Sequence, residues 1–238
     1  MTKLQLLLWS GGDTAALHEA LFSLAPELLR RTEAEVQVNL ADEAVRPAAD
    51  KRMASSGVLP DAVLSFWSRA PQGEAGTSDE LAQIKSALEP GDQWAVYAVE
   101  HAEPLADTQR SVGTGERTPG FSQVALLQCP DFLNYEQWLD HWKNVHTSLA
   151  IDTQSTFRYV QNRVLQQLDG EHSAVAAIVE ECFPAQAMTD PLAFYDAQGD
   201  EARFQANSSR MMESCAKFID FSRIDVLPTS EYRWCWGQ

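Results

Sequence analysis

Nowhere does the chain hold an uninterrupted apolar run near the roughly 18 residues of a membrane-spanning helix, so no membrane partner is expected. Positive charge is also scarce. The 18 Lys and Arg are outnumbered by 34 Asp and Glu, for a net charge of −16, and the longest basic cluster is Arg30–Arg31. A nucleic-acid groove needs basic side chains to neutralise phosphates, so nucleic acid is excluded as an expected partner, and an anionic lipid surface is disfavoured on the same ground. The four cysteines, at 129, 182, 215 and 235, have neither metal-knuckle nor redox spacing. Reduced thiols and no structural metal are expected. The opening MTKLQLLLWSGG has neither the apolar length nor the cleavage site of a secretory signal, which makes the cytoplasm the expected location.

What is present is a normal globular composition, 45% hydrophobic. Residues 4–9 (LQLLLW) read as a buried strand, and SGGDT at 10–14 as a turn and helix N-cap. The helix runs to about residue 31, with apolar positions at Leu17, Leu21, Leu24 and Leu28. EVQVNL (35–40) alternates as a strand, 41–60 reads as loop or irregular helix, and AVLSFW (62–67) as a third strand. A loop over 68–77 leads to a capping box, Thr77 with Glu80, which opens a second helix to about residue 88; WAVYAV (94–99) is a fourth strand. Residues 1–101 thus form one βαββαβ unit, and 102–120 a linker. Residues 121–238 repeat the order: a strand at 121–128, a helix capped by Asn134 and Gln137, strands at 157–165 and 174–183, a helical region over 189–217 broken near Gly199, and a strand at 218–227. The apolar stripe of the first helix, at offsets 0, 4, 7 and 11 from Leu17, recurs in Trp138, Trp142, Val145 and Leu149.

The fold class expected is α+β: two tandem ferredoxin-like units, each an antiparallel sheet with its helices on one face. The bare faces should pack sheet to sheet within one chain, with a ligand cavity between them.

YEQWLDHWKNVHTSLA, followed by FRYVQNRVL, resembles the EthD family, whose pattern is a helix of the type W-x-x-x-H and then a strand close to Y-V-Q-N. Trp142 and His146 stand at the W and H places, and Tyr159–Asn162 at the strand. FPAQAMTDPLAFYDA and FIDFSRIDVLPTSE further on are similar to the family as well. The resemblance spans roughly 120–230 and implies a dimeric α+β barrel, with a homodimer of the tandem chain left open. It implies activity only broadly: relatives include polyketide dehydratases and decarboxylases that use no metal or redox cofactor, accessory proteins of oxidative ether degradation, and haem enzymes elsewhere in the superfamily. Some members carry a second histidine just after the strand's Asn. Here that place is Arg163, a permanent cation suited to holding an anion or enolate oxygen.

These residues point to a cofactor-independent enzyme on a small apolar or aromatic substrate, with His146 as general acid/base for decarboxylation, dehydration or isomerisation. Trp142, Tyr159, Gln161 and Arg163 are the expected substrate-binding residues, the last three alternating onto one face of their strand. An oxidoreductase or its accessory protein, haem-linked in one version, and a non-enzymatic ligand carrier are the alternatives. His141 lies about 140° from His146 by α-helical geometry, which places it on the surface or at an interface. The first helix carries Ala25 where the second carries His146, so only one half is expected to be active.

Overall fold

The computed structural model describes residues 1–55, 57–68, 78–171 and 174–236. Of the expected loop 68–77, Ser68 ends a strand, and residues 69–77 with the Thr77 cap lie outside the described residues. The first half comprises β1 (Thr2–Trp9), α1 (Thr14–Thr32), β2 (Val36–Leu40), a 3-10 helix (Glu43–Lys51), the short β3 (Met53–Ala54), β4 (Ala62–Ser68), α2 (Ser78–Ala87) and β5 (Gln93–Leu105). The second comprises β6 (Phe121–Leu127), α3 (Tyr135–Asp140), a π-helical turn (His141–His146), α4 (Thr147–Thr153), β7 (Arg158–Asp169), β8 (Ala177–Phe183), α5 (Pro191–Phe194), α6 (Glu201–Cys215) and β9 (Asp225–Trp234). Among the described residues, no helix is long and apolar enough to cross a membrane.

All strand pairings are antiparallel, in the order β2-β4-β1-β5-β7-β8-β6-β9, and β9 pairs back to β2. The eight strands therefore close into a barrel, with β3 added beside β9. Each half contributes four strands in the same internal order, β5-β1-β4-β2 and β9-β6-β8-β7. The β5–β7 and β2–β9 pairs join the halves and leave no long edge exposed. The fold is the expected α+β barrel, its two sheet faces turned toward each other.

The lumen is filled with side chains. At one end Leu7, Tyr97, Val99, Leu126, Ile178 and Leu227 form an apolar plug. The other end is polar and charged. Arg158 is 1% exposed; it donates to Glu103 at 2.7 Å, to Gln37 at 3.1 Å and to Glu231 at 2.5 Å. Lys3 donates to Asn162 at 3.0 Å and faces Glu180 at 3.7 Å; Gln5 and Gln37 also donate to Glu180. Burial pushes the Glu180 carboxyl up, but Lys3, Arg158 and the amides of Gln37 and Asn162 outweigh it and hold it at about 2. The expected ligand cavity between the sheets is thus occupied by this network. The facing of β7 is also the reverse of expectation. Arg158 and Asn162 reach into the lumen, whereas Tyr159 packs outward with the helix-side core of Trp138, Trp142 and Phe218.

Two further expectations are corrected. β9 begins at Asp225, not 218: the Asp220 carboxylate accepts from the Ser222 backbone at 2.9 Å, and this turn interrupts the alternating FIDFSRIDVL. The stripe Trp138, Trp142, Val145, Leu149 also breaks. Val145 is 44% exposed, whereas His146 and Ala150 are buried. The π turn adds one residue to the period, so the buried face continues through 146 and 150 in place of 145 and 149.

Arg158→Ala strands Glu103 and Glu231 in the lumen and is expected to cost about 3–5 kcal/mol in urea unfolding. Arg163→Ala, which breaks a half-exposed pair with Glu100, should cost no more than about 1 kcal/mol. Equal losses for the two would contradict the charged lumen as a structural element.

Candidate functional site

A mostly apolar cavity lies outside the barrel, between the sheet of the second half and its helices. Its volume is about 210 Å³. The floor is Ala125, Val179 and Val226; the walls are Trp142, Tyr159, Met211 and Phe218. The first half also contributes, since Lys51 and Met53 line the rim. A cavity of about 150 Å³ accepts benzene, so this one accommodates a substituted single ring or a compact bicycle.

His146 reaches this cavity because of the π turn. Asn134 opens the helix with the expected capping box: its side chain accepts from the Gln137 backbone at 2.9 Å, and the Gln137 side chain accepts in return. After Asp140 the bonding shifts to i→i+5, so that the Thr147 N–H donates to the Trp142 carbonyl. The Thr147 hydroxyl donates to the same carbonyl at 2.8 Å and accepts from Gln161 Nε2 at 2.7 Å. Gln161 therefore braces the turn. Residues five apart now stack, and His141 and His146 come to one face instead of opposite flanks.

Of the residues expected from sequence, His146, Trp142 and Tyr159 line the cavity together. Gln161 is buried behind them on Thr147. Arg163 is not brought to this cavity; Glu100 accepts from it at 2.8 Å on the outer surface. The cation at the cavity is Lys51, whose ammonium sits 4.6 Å from the centroid of Phe194. Burial lowers the Lys51 pKa, and neighbouring Asp50 opposes the shift.

Two groups beside His146 were not singled out from sequence, Gln123 and Glu181. The doublet Glu180–Glu181 within the apolar strand AIVEECF was a usable signal. Adjacent strand residues take opposite faces, so if one glutamate enters the lumen the other must enter the helix-side core. Glu181 is 6% exposed. Its Oε2 accepts from Gln123 at a long 3.4 Å, and its Oε1 has no hydrogen-bond partner. Burial raises its pKa to about 7, opposed only by Gln123. His146 shifts the other way. Burial, with a smaller push from His141, lowers its pKa to about 4, so the ring is neutral at pH 7. Its Nδ1 lies 3.0 Å from Ser214 Oγ, leaving Nε2 for a ligand. Among the described residues, no three His, Cys, Asp or Glu side chains are grouped to hold a metal ion.

The His146 shift has a consequence for stability. The unfolded ring binds its proton near 6.5 and the folded ring near 4, so between these values the unfolded chain holds more protons. Stability should fall as pH drops from 6.5 toward 4, by up to about 3 kcal/mol from this group. His146→Gln should flatten that part of the stability–pH curve relative to wild type, measured by denaturant unfolding. Superimposable curves would contradict the buried neutral imidazole.

Residues 131–222 match the EthD domain. No curated protein matches the chain. Among solved structures, the fold is similar to that of an anthrone oxidase-like protein, at 10% identity and a TM-score of 0.55, covering 100% of this chain and 94% of that one. It is also similar to a candidate monooxygenase from Lactobacillus acidophilus, at 9% identity and a TM-score of 0.52, covering 100% and 98%. A third similar structure, a candidate monooxygenase from Fusobacterium nucleatum, has 8% identity and a TM-score of 0.51, covering 99% and 95%. Identities this low speak for the fold alone. The match over 131–222 places an EthD domain in the second half of the chain.

Proposed function

We propose that the chain is an enzyme that moves protons on a small aromatic or apolar substrate held in the helix-side cavity of the second half. One observation carries the reading. A neutral histidine and a buried carboxyl with an unpartnered oxygen share one apolar cavity, and burial moves their pKa values to about 4 and about 7. Titratable groups whose environments push them apart supply a base and a proton-bearing partner at one pH.

In this reading His146 Nε2 accepts a proton from the substrate. The protonated Glu181 carboxyl donates a hydrogen bond to the oxygen on which negative charge builds. Lys51 at the rim attracts an enolate, a phenolate or a carboxylate. Trp142 and Tyr159 orient the ring, and Gln161 acts indirectly by holding the π turn. Decarboxylation, dehydration and isomerisation can each draw on members of this set. The oxidative alternative would use the same cavity, and a visible absorption band in the purified protein would favour it.

For an aromatic keto acid or hydroxyaromatic substrate found by screening, kcat/KM should be bell-shaped. It should rise with pH through about 4, as His146 loses its proton, and fall through about 7, as Glu181 loses its own. His146→Ala should lower kcat by about 10²–10⁴-fold. Glu181→Gln keeps a hydrogen-bond donor but cannot ionise, so it should retain turnover and lose the alkaline limb. Turnover that survives His146→Ala would sink the reading.

A further inference from the structure

His141 and His146 converge on one hydroxyl. Ser214 Oγ, on α6, lies 3.2 Å from His141 Nε2 and 3.0 Å from His146 Nδ1. Ser214 is 3% exposed and His146 5%, whereas His141 is half-buried. A serine hydroxyl carries one proton: it can donate to one ring while accepting from the other. The three groups therefore form a continuous hydrogen-bonded chain from the cavity to an imidazole that water reaches. The Phe218 ring packs against both histidines, with centroids 4.5 Å from His146 and 5.4 Å from His141. It fixes the planes of both rings and shields the chain along one side. An α-helical turn at 141–146 would set the two rings far apart; the π turn aligns them on Ser214.

We propose that His141 and Ser214 form a proton relay that connects His146 with solvent, so that the buried base is reset without water entering the cavity. The proposal rests on the reading of His146 as the base. In the resting chain His146 Nδ1–H donates to Ser214 Oγ, and the Ser214 O–H donates to His141 Nε2. When His146 Nε2 takes a substrate proton, the Nδ1 proton passes to Ser214 Oγ as Ser214's own proton passes to His141 Nε2. His146 is then neutral with its proton on Nε2, Ser214 keeps one proton, and His141 is a cation that releases its Nδ1 proton to water. Delivery of the Nε2 proton to the product, with water returning a proton to His141 Nδ1, runs the chain backwards and restores the start. No bond to carbon and no redox change is involved. Around the cavity end, the titratable groups facing His146 are Glu181, Lys51, Tyr159, Tyr195 and Cys215. Among the described residues, His146 hydrogen-bonds only to Ser214, so the relay is its direct polar connection outward.

The test needs no substrate. In the full chain carrying ¹⁵N-histidine, NMR reports each ring's tautomer and the exchange of its imidazole protons with water. The relay predicts Nδ1–H on both neutral rings. It also predicts that Ser214→Ala slows exchange of the His146 imidazole proton by about tenfold or more, the rate factor for about 1.4 kcal/mol of barrier. Ser214→Thr, which keeps the hydroxyl, should restore the rate. His141→Phe should slow it as Ser214→Ala does, and it carries the test if the alanine variant fails to fold. Unchanged exchange in a folded Ser214→Ala or His141→Phe variant would overturn the relay, leaving a serine that only packs the helices. The measurement records proton movement in the resting protein. A failed relay therefore leaves the turnover loss of His146→Ala standing, and a failed catalytic role for His146 leaves the exchange result standing.

Discussion

Arg158 is the residue on which the two halves depend. Its guanidinium starts on β7 of the second half and binds Gln37 on β2 and Glu103 on β5, both in the first half, as well as Glu231 on β9. The neighbouring strands β2 and β9 and the strand β5 beside β7 are thus tied to one planar group, whose fork of donors suits several oxygens at once. The charge is costly to bury, so the lumen must supply carboxylates, and these in turn need Lys3, Gln5 and Asn162 around Glu180. A barrel closed on such a network has a unique register. Sliding either seam by one residue would turn the charged side chains toward the helices and the leucines toward the carboxylates.

With the interior of the barrel committed to closure, the apolar cavity of the described residues lies on an outer face, and the two outer faces differ. On the first, α1 lies on the sheet through Leu17, Leu21, Ala25 and Leu28, and Trp234 from the end of β9 joins that core. Phe22 meets Tyr232 and Trp234 edge to face. On the second, the π turn, the short α5 and the break before α6 leave a gap, which the 3-10 helix and β3 of the first half partly roof. The pseudo-symmetric frame therefore holds one packed face and one open face.

Much of this was readable in the chain, for reasons that also mark where reading stops. Alternation in EVQVNL and the leucine stripe of α1 each have one dominant period, so element type and order followed. The EthD-like motif singled out Trp142, His146 and Tyr159, which meet at the cavity. The facing of β7 did not follow, because alternation says only which residues share a face, and in this barrel both faces are buried. Val160, an apolar neighbour of polar residues, suggested the helix side for its set; the lumen accepts it beside Arg158 and Asn162. The π turn was hidden by tryptophans at an α-helical spacing of four. The spacing of five between His141 and His146 was its trace, legible only once the Thr147 to Trp142 bond is seen. Glu181 was obscured by an acidic composition in which one more glutamate carries little information.

The roof over the second-half cavity has a consequence for how such a protein can vary. In a symmetric pair of identical subunits, any residue that covers one cavity occurs at both, so a change there alters two sites together. Here Lys51 and Met53 cover a single cavity and occur once. Selection on the rim can proceed without disturbing the packed face of the other half, and that face can in turn exchange leucines for stability without reshaping the cavity. Carrying both halves of the barrel in one chain thus separates two properties that symmetry binds together: the tuning of what enters the site and the robustness of the frame that holds it.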